Sequence, residues 1–118
     1  MIDLKKWLKS FTYAWKGFLF VWNEEQNFRF QLVIALIITI AMIIGKFTYV
    51  EFSLAFLTFA LVLGGEVINT VVEDTLNKLE PGHDPLVGKI KDMAAFFIMI
   101  NATVALVIAI IVLVHHFR

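Results

Sequence analysis

The chain has 118 residues, 60% hydrophobic and 17% charged, with a mean hydropathy of +0.84. Soluble domains average about 45–50% apolar and about 25% charged, so this composition lies outside that class; the apolar content excludes disorder, and the absence of cysteine excludes a disulfide scaffold. Ten Lys and Arg balance ten Asp and Glu, so no net field draws the chain to nucleic acid, and what remains is a small integral membrane protein with one domain over 1–118.

The first element is a helix over about 3–24. Wound at about 100° per residue, Trp7, Phe11, Trp15, Phe18 and Trp22 share one face, while Lys5, Lys9 and Lys16 gather opposite. An aromatic face against a lysine face suits a helix lying in the headgroup layer, or one packed on a partner subunit; the two are compatible. All three Trp of the chain fall here, as an interfacial belt requires. The segment is not a signal peptide, because lysines recur through Lys16 and no apolar run leads to a small-residue cleavage site.

Three spans follow, at about 28–46, 52–76 and 92–114. The last contains an uncharged run of 22 residues, Met93 to Val114, enough for a bilayer core of about 30 Å. The first relies on Lys46 snorkelling at its end, and the second is apolar apart from a few polar residues. The expected fold is therefore an all-α membrane protein, an N-terminal amphipathic surface helix plus three transmembrane helices. Lys5, Lys6, Lys9, Lys16, Arg29, Lys78, Lys89 and Lys91 lie on one side, Lys46 and Arg118 on the other, which makes the N-terminus and the 77–91 loop cytoplasmic. Pro81-Gly82 marks a turn in that loop, and Pro85 and Gly88 are expected to keep the rest irregular.

The informative residues are Glu66, Asn69, Thr70, Glu73 and Asn77, a polar stripe along one side of the second span. A carboxylate in hydrocarbon costs several kcal/mol, so the stripe must face protein, a wet cleft or a cation. Helix glue is the bland reading, but Ser, Thr and Asn serve for that. Glu24 and Glu25 before the first span, Asp74, and Lys91-Asp92 at the start of the third lie nearby. Carboxylates beside a lysine suit Mg²⁺ with a polyphosphate, since Mg²⁺ takes one or two carboxylates plus phosphate oxygens and lysine serves as a point charge. With a Glu to deprotonate a lipid hydroxyl, these are the parts of a phosphoryl transferase acting on a membrane lipid. There is no G-x-x-x-x-G-K-[ST] loop; Gly64-Gly65 reads as close helix approach, and His83 and the terminal His115-His116 offer no metal cluster.

In their order and spacing, Tyr13-x-Trp15-Lys16-Gly17, Glu25-x-x-Phe28-Arg29, Glu66-x-x-Asn69-Thr70-x-x-Glu73 and Lys91-Asp92 with Ala94-Ala95 cover nearly the whole chain. The sequence resembles the small prokaryotic diacylglycerol kinase family, which includes the undecaprenol kinases of Gram-positive bacteria. The resemblance implies a homotrimer in the bacterial cell membrane, with active sites at the cytoplasmic interface shared between subunits. It implies Glu66 as general base for the lipid hydroxyl, with Trp15 on the lipid side, and Glu25 and Glu73 holding Mg²⁺ with the ATP phosphates. Asn69, Asn77, Lys91 and Asp92 complete the implied ATP site. Two departures stand out: Asn77 replaces the family's usual Asp, and Phe96-Phe97 replace small residues. The short N-terminus and Asp84-Pro85-Leu86 lean toward undecaprenol over diacylglycerol as acceptor. The rival classes are a small proton-coupled transporter, because intramembrane Glu also marks proton relays, and a catalytically inactive structural homologue.

Overall fold

A computed structural model of the chain describes residues 3–82 and 84–118. The described residues form four helices, α1 (Leu4–Glu24), α2 (Gln26–Ile44), α3 (Tyr49–Leu79) and α4 (Pro85–Phe117), with no strand among them. The last three are long and apolar enough to cross a membrane. At about 1.5 Å per residue, α3 with 31 residues and α4 with 33 outreach a hydrocarbon core of about 30 Å, so their ends project from it. The all-α class and the three spans expected from the sequence are present.

Local chemistry sets the helix boundaries. Asp3 caps α1 by accepting from the Lys5 and Lys6 amides at 3.1 and 3.3 Å. Thr48 and Glu51 form a capping box at the start of α3, with Glu51 Oε1 accepting from the Thr48 amide at 2.8 Å. Asp84 caps α4 through the Leu86 amide at 2.8 Å, and Pro85 occupies the first turn, where its missing N–H costs nothing. That cap corrects the reading of Pro85 and Gly88 as irregular loop: both lie inside α4, which begins seven residues before the expected boundary at 92. The first span also ends earlier than expected. α2 stops at Ile44, and Lys46 takes the left-handed conformation (φ 56°) in the turn to α3. His83 lies outside the described residues.

Most of the apolar surface faces outward, and the interior is unusually polar. Val21, Phe28, Ala35, Met42 and Val112 are the buried apolar residues, beside buried Glu51, Glu66, Thr70 and Asn101. This distribution suits a bilayer, where lipid is as apolar as leucine and helices are held by close packing and polar contacts. Asn101 of α4 donates from Nδ2 to the Leu61 carbonyl of α3 at 3.0 Å, and Gly65 gives it room: a Cβ there would lie 2.6 Å from that nitrogen. Of the Gly64-Gly65 pair only Gly65 serves close approach, since a Cβ on Gly64 would meet nothing within 4 Å. At the far end of the bundle, buried Glu51 is flanked by His115 Nδ1 at 3.1 Å and His116 Nδ1 at 3.2 Å, and Phe47 stacks on His116.

α1 packs through its aromatic face. Trp15 stacks on Phe18 (5.3 Å between ring centroids), and Phe18 meets Trp22 and Phe28 at 5.9 and 6.1 Å. Trp7, Phe11 and Trp15 each remain more than half exposed, as residues reaching into lipid would. The carboxyl of Glu24 lies against that of Asp74 on α3. Their hydrogen bond and mutual repulsion, with desolvation and the charge of Glu25 adding less, hold Glu24 above the ordinary carboxylate range.

Two outcomes follow from these contacts. Gly65→Ala forces Asn101 out of its seat and is expected to destabilise the protein by about 1–3 kcal/mol in detergent unfolding, less in an Asn101→Ala background. Equal losses in both backgrounds would break the link between them. Because folding raises the Glu24 pKa, the folded state binds the extra proton, so this contact favours folding at low pH and loses that contribution as pH rises through the raised value. Asp74→Ala should return Glu24 toward its ordinary titration range, read by carbon NMR of labelled glutamate carboxyls; an unmoved titration would contradict this origin.

Candidate active site

The site lies at the α1 end of the bundle, where α2 begins and α3 ends. Its first fixed point is the α1–α2 corner. Arg29 reaches back to donate from a guanidinium nitrogen to the Trp22 carbonyl at 2.6 Å and the Asn23 carbonyl at 3.3 Å, covering carbonyls that the last turn of α1 leaves open. Glu25 is both the last cap of α1 and the first of α2, and its side chain makes no capping bond. Its carboxylate is therefore available to the site while its backbone is fixed.

The stripe on α3 supplies the rest. Glu66 is buried, 4% exposed, and accepts from Gln31 Nε2 of α2 at 3.2 Å through Oε1. Its other oxygen has no hydrogen-bond partner among the described residues. Thr70 turns its hydroxyl to the Glu66 carbonyl at 2.9 Å, so it belongs to the helix rather than to the chemistry. One turn further on, Asn69 Nδ2 donates to Glu73 Oε1 at 3.3 Å. Two amide–carboxylate pairs thus stand along one side of α3. Each amide gives its N–H to an acid, and the carbonyl oxygens of Gln31 and Asn69 are buried with no donor among the described residues. Buried acceptors are rarely left unmatched without a reason.

Glu25 and Glu73 both lie within Coulombic reach of Glu66. Lys91 of α4 donates to Asn77 Oδ1 at 2.8 Å, which brings the lysine onto the same end of the stripe. Asp92, next in the chain, is exposed and makes no side-chain hydrogen bond or ion pair among the described residues. Trp15 sits apart from the carboxylates on the surface helix. It stacks on Phe18, which lines a cavity of about 540 Å³ walled by Gly17, Val21, Phe28 and Val67, with Glu24 and Asp74, rather than the nominated carboxylates, at its polar edge.

The donor set fits a hard cation. Glu73 keeps one carboxylate oxygen free of the Asn69 bond, the Asn69 carbonyl is unmatched, and Glu25 makes no cap. Among the described residues, no three His, Cys, Asp or Glu form a cage that could hold a metal alone. One or two carboxylates completed by substrate phosphates is the coordination Mg²⁺ prefers. Gln31 is the residue that sequence reasoning passed over: one Gln in an apolar stretch carries no motif, and its partner is 35 residues away.

Comparison with known proteins bears on the whole arrangement. The prokaryotic diacylglycerol kinase family matches residues 12–113. The undecaprenol kinase of Bacillus subtilis (strain 168) is 26% identical over 110 residues, covering 93% of this chain and 89% of that one. The diacylglycerol kinases of Escherichia coli (strain K12) and Shigella flexneri are each 27% identical over 113 residues, covering 93% of this chain and 90% of theirs. A match that spans surface helix, corner, stripe and lysine alike leaves one assignment: the chain belongs to the prokaryotic diacylglycerol kinase family.

Proposed function

We propose that the protein transfers the γ-phosphoryl group of ATP to the hydroxyl of undecaprenol or diacylglycerol at the cytoplasmic face of a bacterial cell membrane, with Mg²⁺ as cofactor. Its family makes it a lipid kinase, and the three long apolar helices make it a multi-pass membrane protein. The observation that carries the finer reading is the pairing of Gln31 with Glu66 and of Asn69 with Glu73 along one side of α3, at the end of the bundle that bears Lys91.

In this reading Glu66 takes the proton of the lipid hydroxyl. The oxygen so freed bonds to the γ-phosphorus as the bond to the β,γ-bridging oxygen breaks, and ADP leaves. Glu25 and Glu73 would hold Mg²⁺, which when bound neutralises charge on the phosphates. Asn69 orients Glu73, Lys91 pairs with phosphate oxygens, and Asp92 borders the nucleotide. Trp15 and its neighbours on α1 meet the lipid. Lys91 is held by a neutral amide, so it is oriented without being neutralised and keeps its whole charge for the nucleotide. The working unit is a homo-oligomer, a trimer by family analogy, because one protomer alone encloses little of its polar end.

Other contacts weigh against a transporter. Beyond Glu66 toward the far end, the Ser53 and Thr58 hydroxyls bond back to their own helix at Tyr49 and Leu54, each at 2.8 Å, and Asn101 is committed to Leu61. None of these groups is left to relay a proton.

In micelles with γ-labelled ATP and Mg²⁺, one of the two lipids should be labelled by the wild type. Glu66→Gln is expected to lower kcat about 10²–10⁴-fold, as loss of general-base catalysis does. Glu73→Gln should raise the Mg²⁺ needed for half-maximal rate by at least the roughly tenfold that loss of an outer-shell partner costs. No labelling of either lipid by a folded, oligomeric protein would select the inactive homologue. Asn77→Asp creates an ion pair that Lys91 must break, so the KM for ATP should rise about twofold to fivefold at unchanged kcat, in line with exposed ion pairs of up to about 1 kcal/mol. A lowered KM would show instead that the nucleotide site wants a charge at residue 77.

A further inference from the structure

We propose that Gln31 is a positioning residue for the phosphoryl-transfer site: its amide fixes one oxygen of Glu66 so that the other is presented to the lipid hydroxyl. This rests on the reading of Glu66 as general base.

Three observations converge on Gln31. Its Nε2 donates to Glu66 Oε1 at 3.2 Å, and among the described residues this is the one side-chain hydrogen bond joining α2 to α3. A carboxylate on a single flexible stem swings about its last torsion, and a single N–H aimed at one oxygen selects one setting of it. The donor is neutral. Lys or Arg in its place would cancel the charge that makes Glu66 a base, whereas an amide orients the carboxylate and leaves it anionic. Finally, the Gln31 carbonyl is buried without a donor among the described residues. Turning the amide over would set that oxygen against the carboxylate, so the acid dictates the orientation and the unmatched carbonyl is its consequence. A glutamine serving only to join two helices has no need to leave half its hydrogen-bonding capacity unused. Asn69 repeats the arrangement on Glu73, with its N–H on the acid and its carbonyl unmatched.

The position of Gln31 is itself secured. It follows two residues after Arg29, whose guanidinium locks the α1–α2 corner, and it lies in the first two turns of α2, where fraying is limited by that lock. Phe28, buried on the same stretch of helix, anchors the turn against α1 through Phe18. The chain of support thus runs from the corner through Gln31 to the reacting oxygen.

The test measures phosphorylation of whichever lipid the wild type uses, with separate KM values for lipid and ATP, for Gln31→Met, Gln31→His, Glu66→Gln and Gln31→Met/Glu66→Gln. Met keeps the length and removes the donor, while His keeps an N–H. The expected result is a fall in kcat of about tenfold or more for Gln31→Met with both KM values within about twofold of wild type, and substantial recovery in Gln31→His. In the Glu66→Gln background, Gln31→Met should change the residual rate by less than about twofold, because a residue acting only through Glu66 has nothing left to act on. Equal losses in both backgrounds, an unchanged kcat in Gln31→Met, or a change confined to thermal midpoint and KM would each overturn the proposal. Should the Met variant not fold, Gln31→Leu, close in size, uncharged and without a donor, takes its place with the same expected loss. A Glu66→Gln protein as active as wild type refutes the general-base reading itself; a dead Glu66→Gln beside a fully active Gln31→Met refutes this inference alone.

Discussion

A carboxylate within a membrane-spanning helix must be supplied with donors by the protein, because the surrounding solvent has none to offer. Glu66 is the residue on which this constraint falls hardest, and the arrangement around it reads as the answer. α2 lies against α3 at the height where Gln31 reaches Glu66. α4 lies against α3 at Gly65, the adjacent residue, where the missing side chain admits Asn101. One helix therefore orients the acid, and the other fixes the rotation of the helix that carries it. Neither contact buries much apolar surface, and in lipid neither needs to.

The two ends of the bundle solve the same problem differently. At the far end Glu51 is almost wholly enclosed, closing its own capping box and lying between His115 and His116, so its oxygens are spoken for. At the α1 end the acids are only half matched among the described residues: Glu66 has one side-chain donor, Glu73 has one, and Glu25 makes no cap. A closed polar cluster ties helices together, whereas an open one has capacity left for ligands. The chain thus carries a closed acid and an open set of acids at opposite ends, told apart by how many of their lone pairs the described residues already use.

Much of this was legible in the sequence. Hydropathy located the spans, the turn-by-turn spacing of Glu66, Asn69 and Glu73 showed a shared side, and the aromatic face of α1 stood out against its lysines. What could not be read depended on partners distant along the chain. Gln31 acquires meaning only from Glu66, and Glu51, which falls between the expected spans at 28–46 and 52–76, only from two histidines more than 60 residues on. Pro85 and Gly88 were misleading for a local reason. Proline is a breaker inside a helix and a starter at its first turn, and Asp84 decides which by capping the turn.

The two departures from the family pattern take on a physical character in the structure. Phe96 and Phe97 are 59% and 42% exposed, so their bulk points out of the protomer and leaves the α3–α4 seam to Gly65, Ile98 and Asn101. Whatever that bulk alters, it alters a surface turned to lipid or to another subunit, and the geometry around Glu66 is untouched by it. Asn77 does enter the polar end, yet its oxygen still serves, because Lys91 donates to it at 2.8 Å. An Asp at that position would hold the lysine by charge; Asn holds it by direction alone. Losing the acid therefore removes a competitor for Lys91 without releasing the side chain, and a cation kept in place but left uncompensated is suited to meet a polyphosphate.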